Sequence, residues 1–170
     1  MHYLGQKGYS IIKDELTIEQ QEKIRYDLTV KPNVNTMGFG KTPSFYIYRE
    51  SPKKFYVPRF YGFQHFGIPK VNHITDGETI NVAFSGELRE KQKPIVEKFL
   101  KHIEKHQCGL LDLYCGFGKT CLALYIITQI SKKSLIIVHK EFLMNQWIER
   151  IEQFIPTARI GKIQGQIIDV

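Results

Sequence analysis

Five residues constrain this chain more than any others: Gly116-Phe117-Gly118-Lys119-Thr120, set between a short apolar run and a longer run with helical spacing. Glycines let backbone N–H groups approach an anion. A lysine reaches the β and γ phosphates of a nucleotide, and a hydroxyl at the next position holds Mg²⁺. Gly116, Gly118, Lys119 and Thr120 supply these parts, with Phe117 between the glycines. Upstream, Gly109-Leu110-Leu111-Asp112-Leu113 reads as a short buried strand. Downstream, residues 119–130 read as a helix apolar on most sides, whose N-terminal dipole adds to the pull on an anion. The order strand, loop, helix implies a phosphate-binding loop. The fuller pattern GxxxxGK[ST] is not met, because Leu113 stands at its first glycine.

The sequence carries its own control. Gly38-Phe39-Gly40-Lys41-Thr42 repeats the same letters, but Pro43 follows and no apolar strand precedes. Without a helix N-terminus this lysine has no cradle, and the first copy reads as a plain loop.

Around the loop the chain divides near residue 86. Residues 1–86 are rich in Pro, Gly and aromatics and read as a small, mostly β accessory region. Thr17, with Gln20 at the capping-box position, starts one helix, with Ile18, Ile24 and Leu28 expected to face inward. Phe45–Tyr48, Phe55–Val57 and Thr79–Phe84 read as strands between breakers. Residues 87–170 follow another grammar. A helix is expected from Leu88 to about His106, with Pro94 near its first turn. Ser134–Val138 reads as a strand without alternation, as in a parallel sheet covered on both faces. Glu141–Phe154 reads as a helix ended by Pro156, and Arg159–Ile163 and Ile167–Val170 as further strands. The fold class is therefore α/β, with strands and helices in βαβ order.

A net charge of +7 suits an anionic partner such as nucleic acid, or reflects solubility alone. Three cysteines without a CxxC pair argue against a disulfide framework or a structural zinc site. No apolar run reaches membrane-span length and none at the start resembles a signal peptide, so a soluble intracellular protein without a membrane partner is expected. His102 and His106 are one turn apart but lack the Glu of a zinc-protease pattern, and read as solvated. Lys53, Lys54 and Arg59 interleave with Phe55, Tyr56, Phe60 and Tyr61. That mixture fits either a single-strand binding surface or the core and edge of a β domain, and the second reading is favoured.

Several segments together resemble a known family. They are Leu88-Arg89-Glu90-Lys91-Gln92, then Leu113 to Thr120, then Leu135-Ile136-Ile137-Val138-His139-Lys140 with Gln146 and Trp147 beyond. This series resembles the first RecA-like domain of superfamily 2 helicases, in the branch of XPB-type and type III restriction-enzyme helicases. It is most similar to the DEAD-like helicases of large nucleocytoplasmic DNA viruses. Leu28-Thr29-Val30-Lys31-Pro32 and Tyr48-Arg49-Glu50-Ser51-Pro52 resemble that group as well.

The resemblance implies a partial RecA-like P-loop domain in residues 87–170, with ATP and Mg²⁺ as cofactors. It implies that Gly116, Phe117, Gly118, Lys119 and Thr120 bind the phosphates and that Thr120 holds the metal. Gln92 would read adenine, with Arg89 supporting the same pocket, and His139 and Lys140 would contact the backbone of DNA or RNA. Gly161 and Gly165 would mark a further nucleic-acid-facing turn. If the chain is viral, the virion and the host nucleus or cytoplasm are its compartments.

One departure limits these expectations. The family needs an Asp-Glu pair on a later strand, yet after the loop the acidic residues are only Glu141, Glu149, Glu152 and Asp169. A second RecA-like domain, expected in cis, is also lacking. The chain therefore reads as the N-terminal part of a longer helicase or translocase, or as a truncated gene product, that binds ATP weakly alone and turns it over little. The alternatives are a non-catalytic nucleotide- or nucleic-acid-binding module and another phosphate-loop enzyme such as a kinase. For a kinase, only Arg150 and Arg159 follow the loop as candidate lid arginines.

Overall fold

The structure is a computed structural model that describes residues 2–32 and 43–170. The repeated Gly38–Thr42 motif lies outside the described residues. The chain forms two compact units, Met1–Asp76 and Gly77–Val170.

The first unit is built on a five-stranded sheet. β1 (Tyr3–Gly5) and β2 (Gly8–Ile12) make a tight hairpin. Gly8 sits at φ 102°, and a Cβ there would lie 2.5 Å from the Val57 carbonyl oxygen, so the turn requires glycine. Thr17 caps α1 (Ile18–Asp27) with the expected reciprocal bonds to Gln20. A two-stranded ladder joins β3 (Thr29–Val30) to β4 (Phe45–Tyr46). β5 (Arg49–Glu50), β6 (Lys54–Val57) and β7 (Val71–Asn72) complete the main sheet in the order β5-β6-β2-β1-β7. Only the edge pair β1–β7 is parallel. Alternation along the strands turns Leu4, Tyr9, Ile11, Phe55 and Val57 to one face, where Ile24 and Leu28 of α1 close the core.

Ile18 does not join that core; it is 75% exposed. Six residues at 100° each place Ile18 about 120° around the helix from Ile24, whereas Leu28 follows Ile24 by the in-phase four. The aromatic stretch also holds a helix that strand propensity hides: α2 (Arg59–Phe66), begun after Pro58 and ended by Gly67 at φ 79°. Its Gly62 lies against the Tyr9 ring so closely that a Cβ would overlap it. Phe55 is core rather than a stacking surface, and Tyr61 donates to Asp27 at 2.9 Å.

In the second unit, residues 79–84 form no strand. They run as a strap with one isolated bridge, Thr79 to Lys132, and Phe84 stacks on Phe154 with centroids 5.3 Å apart. α3 (Lys93–His106) carries Pro94 in its first turn. α4 (Lys119–Ile130) and α5 (Glu141–Phe154) have the expected limits, and β8 (Lys162–Gln164) pairs with β9 (Ile167–Asp169) as a hairpin. Segments 109–113 and 134–138 form no strand, and no strand of the described residues pairs with them. Leu111 and Leu113 pack on Val96, Leu122 and Ile126, so the first segment has one covered side. Leu110, Leu135 and Ile137 are 90%, 75% and 85% exposed. The architecture is α/β, a partial RecA-like domain preceded by a mostly β unit.

Two outcomes follow. Leu135→Thr with Ile137→Thr should change urea stability by less than about 0.5 kcal/mol, because neither side chain is packed. Leu122→Ala should cost about 2–5 kcal/mol. In the first unit, the Glu50 carboxylate is gripped by Arg25 at 2.7 and 3.2 Å and by Lys13, which holds it down at about 2 against an ordinary 4.5. A depressed carboxylate stabilises the fold above its unfolded value and loses that contribution as pH falls toward the folded one. After solvent screening, Glu50→Gln should cost about 1 kcal/mol at pH 7. That difference should shrink between pH 5 and 2, read by denaturant melts at each pH; a pH-independent difference would contradict the ion-pair assignment.

Candidate nucleotide-binding site

Two left-handed glycines shape the loop. Gly116 has φ 78° and Gly118 φ 91°, the latter serving as the residue before α4. A side chain at Gly118 would be strained, and its Cβ would lie 2.7 Å from Nε2 of Gln92. Between the glycines, Phe117 is 4% exposed and packs with Val96, Leu122 and Ile126. Its ring anchors the loop in the core, which leaves only its backbone available to a ligand.

Gln92 is buried beneath the loop. Its Oε1 accepts from the Arg89 N–H at 2.9 Å, and its Nε2 donates to the Phe117 carbonyl at 2.7 Å. The amide thus ties the turn before α3 to the loop before α4. The Arg89 side chain is exposed, and its charge opposes the upward push that burial gives the Cys121 thiol at the start of α4. Sequence reasoning missed Lys91. Its Nζ donates to the Tyr114 hydroxyl at 2.9 Å and lies 5.5 and 5.4 Å from the Tyr114 and Phe117 ring centroids. No spacing signal links residues so far apart in sequence.

Lys119 points back over the loop, where Nζ donates to the Leu113 and Tyr114 carbonyls at 2.8 and 2.9 Å. Thr120 follows, half-buried. The first turn of α4 contains no acidic residue and no side-chain cap. Its free N–H groups and the Lys119 ammonium therefore present only positive partial or full charge to an anion.

Gln92, Arg89, Gly116, Phe117, Gly118, Lys119 and Thr120 are thus gathered around one loop and one helix start. His139 and Lys140 lie elsewhere, in an exposed turn that leads into α5, with Lys140 as its capping residue. Gly165 makes the β8–β9 turn at φ 59°, while a Cβ at Gly161 would meet the Asp169 carbonyl oxygen at 2.5 Å, so strand packing accounts for Gly161. His102 and His106 are both exposed, with ring centroids 4.5 Å apart.

Replacing Gln92 by Leu keeps the volume but leaves the Arg89 N–H and the Phe117 carbonyl without their partner. A loss of about 2–4 kcal/mol in urea stability is expected. Wild-type stability in this variant would mean that the amide does not hold the loop.

Comparison with known proteins agrees with this architecture. Residues 85–169 match the family described as type III restriction enzyme, res subunit. A protein of Acanthamoeba polyphaga mimivirus, named as a candidate ATP-dependent RNA helicase, is 32% identical over 95% of this chain and 32% of its own length. A candidate helicase of Invertebrate iridescent virus 3 is 30% identical over 81% of this chain and 45% of its own. A transcript termination protein of Yaba-like disease virus is 36% identical over 36% of this chain and 14% of its own. The chain therefore spans between a seventh and a half of the length of these relatives. No solved structure matches it significantly. Among the described residues, no helix is long and apolar enough to cross a membrane. The family match covers half of the sequence and centres on the loop and helices just described, and the chain belongs to the type III restriction enzyme res subunit family of superfamily 2 helicases.

Proposed function

We propose that this chain is the nucleotide-binding N-terminal part of an ATP-dependent DNA or RNA helicase or translocase. The observation that carries the reading is the loop itself. Two positive-φ glycines, a buried glutamine beneath them and a lysine ammonium stand at the start of a helix whose first turn has no internal anion. Backbone N–H groups of 116–120 and Nζ of Lys119 would hold the phosphates. A phosphate oxygen outcompetes the two neutral carbonyls that Lys119 touches, because it meets the ammonium with a full negative charge where a carbonyl offers only a dipole. Thr120 offers the metal one hydroxyl. Among the described residues there is no group of three or more His, Cys, Asp or Glu to hold an ion alone. The site therefore fits Mg²⁺ that arrives with the nucleotide, its phosphates bringing most of the ligands. When bound, Mg²⁺ would neutralise charge on those phosphates.

Gln92 and Arg89 border the same loop and are assigned the adenine side. Each end of the Gln92 amide makes one bond to the backbone, and its second N–H and second oxygen lone pair are the groups that would meet the ring. His139 and Lys140 are assigned to the nucleic-acid backbone, as an exposed, cation-bearing turn. Residues 121–170 contain no adjacent acidic pair. In this reading turnover requires such a pair and a second lobe in cis, and residues 1–170 alone bind ATP without appreciable hydrolysis.

The test is direct binding of a fluorescent ATP analogue in Mg²⁺. Lys119→Ala should weaken binding roughly ten- to hundredfold, the cost of about 1.5–3 kcal/mol for a charge-assisted bond. Unaltered affinity in Lys119→Ala would sink the assignment. In the longer protein, nucleic acid should stimulate ATP hydrolysis, and the same variant should abolish that stimulation.

A further inference from the structure

The first unit holds a second basic feature, remote in sequence from the phosphate loop. A cleft of about 310 Å³ is lined by Lys7, Tyr46, Tyr48, Arg49, Tyr56 and Pro58, among others. The sheet explains its composition. Arg49 of β5 faces Tyr56 of β6 in register, so both side chains leave the sheet on the side opposite Phe55 and Val57, which are buried. Glu50, one residue on, turns the other way to Lys13 and Arg25. Its carboxylate is thereby withdrawn from the cleft, and no acidic residue lines it.

Lys7 lies 5.2 Å over the Tyr56 ring, and Arg49 is exposed. Among the described residues neither has a carboxylate within ion-pair distance. Tyr46 stands beside them, 67% exposed, in edge contact with Tyr48 at 5.8 Å. Tyr48 is committed to the core through Phe55, so Tyr46 is the ring left to a ligand.

We propose that this cleft binds single-stranded nucleic acid, with Lys7 and Arg49 on successive phosphates and Tyr46 stacked on a base. Unpaired cations attract a polyanion, but an acidic peptide would gain nothing from an exposed aromatic face. Stacked bases alternating with phosphates use both features, and stacking tolerates any sequence. The volume suits about one nucleotide unit and is at the small end for a whole cofactor. Lys53, Lys54 and Arg59, the basic residues most conspicuous in the sequence, are not the ones used. Lys54 donates to the Tyr3 hydroxyl and Arg59 lies over Phe60 and Phe63. The site is independent of the nucleotide reading, because none of its residues belongs to the loop.

The experiment is fluorescence anisotropy of a labelled oligothymidylate with the 170-residue chain across a salt series. Lys7→Glu with Arg49→Glu should weaken binding at least tenfold and flatten the log–log salt slope by roughly 1.4, two phosphates at about 0.7 each. Tyr46→Ala should weaken binding at least about fivefold, while Tyr46→Phe, which keeps the ring, should bind as wild type. Lys98→Glu with Lys105→Glu makes the same charge change on exposed positions of α3 and should cost less than threefold. Equal losses in the α3 and cleft variants, or wild-type binding by Tyr46→Ala, would overturn the proposal. So would displacement of the oligonucleotide by polyglutamate as effectively as by unlabelled oligothymidylate. ATP binding is read separately with the fluorescent analogue, so failure of the ATP assignment and failure of this one are separable.

Discussion

The side-chain amide of Gln92 makes two hydrogen bonds, and the order of the second unit follows from them. One end accepts from the turn that starts α3, the other donates to the carbonyl of Phe117 in the loop that starts α4. Gln92 is 2% exposed and its bond to the Phe117 carbonyl is buried, so water does not stand in for the amide there. The constraint extends to the neighbouring residue. Gly118 must be glycine for its φ, and also because Nε2 of Gln92 occupies the space a Cβ would need. Phe117 then drops its ring into the core, and Lys119 begins the helix with its ammonium folded over the loop. A phosphate-binding loop is often described by its glycines and lysine alone. Here its shape is held from below by a glutamine that a five-residue pattern does not contain.

The same joint would give a nucleotide bound at the loop a way to reach the scaffold. A group that moved Gln92 toward a base would strain its bonds to the Arg89 N–H and the Phe117 carbonyl. Base recognition would thus be coupled to the stiffness of the loop. Lys91, over the rings of Tyr114 and Phe117, adds a cation to the same edge. The concentration of positive charge is therefore denser than Lys119 alone implies.

What the sequence disclosed and what it concealed divide along physical lines. Helices α4 and α5 were legible to the residue, because their limits are local: a positive-φ glycine before one, a proline after the other. The capping box at Thr17 was legible for the same reason. Segments 109–113 and 134–138 were legible as apolar, but not as unpaired. Pairing depends on a neighbour, and composition is silent about neighbours. Ile18 was misplaced by ignoring helical phase. Helix α2 was hidden because Phe and Tyr favour strands, and it forms through a tertiary contact, Gly62 on Tyr9, that no local rule contains. In the site, Gln92 and Arg89 were reachable only through resemblance. Lys91 was not reachable at all, since its partner Tyr114 lies in a different element.

Charge shows the same limit. The excess of +7 is a sum, and it cannot tell a solvated surface from a binding site. The sheet of the first unit makes the distinction by alternation. Adjacent residues of β5 face opposite ways, so Glu50 is shared by Lys13 and Arg25 on one side while Arg49 has no carboxylate on the other. A reading that counts charges along the chain would cancel Arg49 against Glu50. The strand period of two separates them, and that separation turns an ordinary mixture of basic and aromatic residues into one face whose cations share a carboxylate and one whose cations have none.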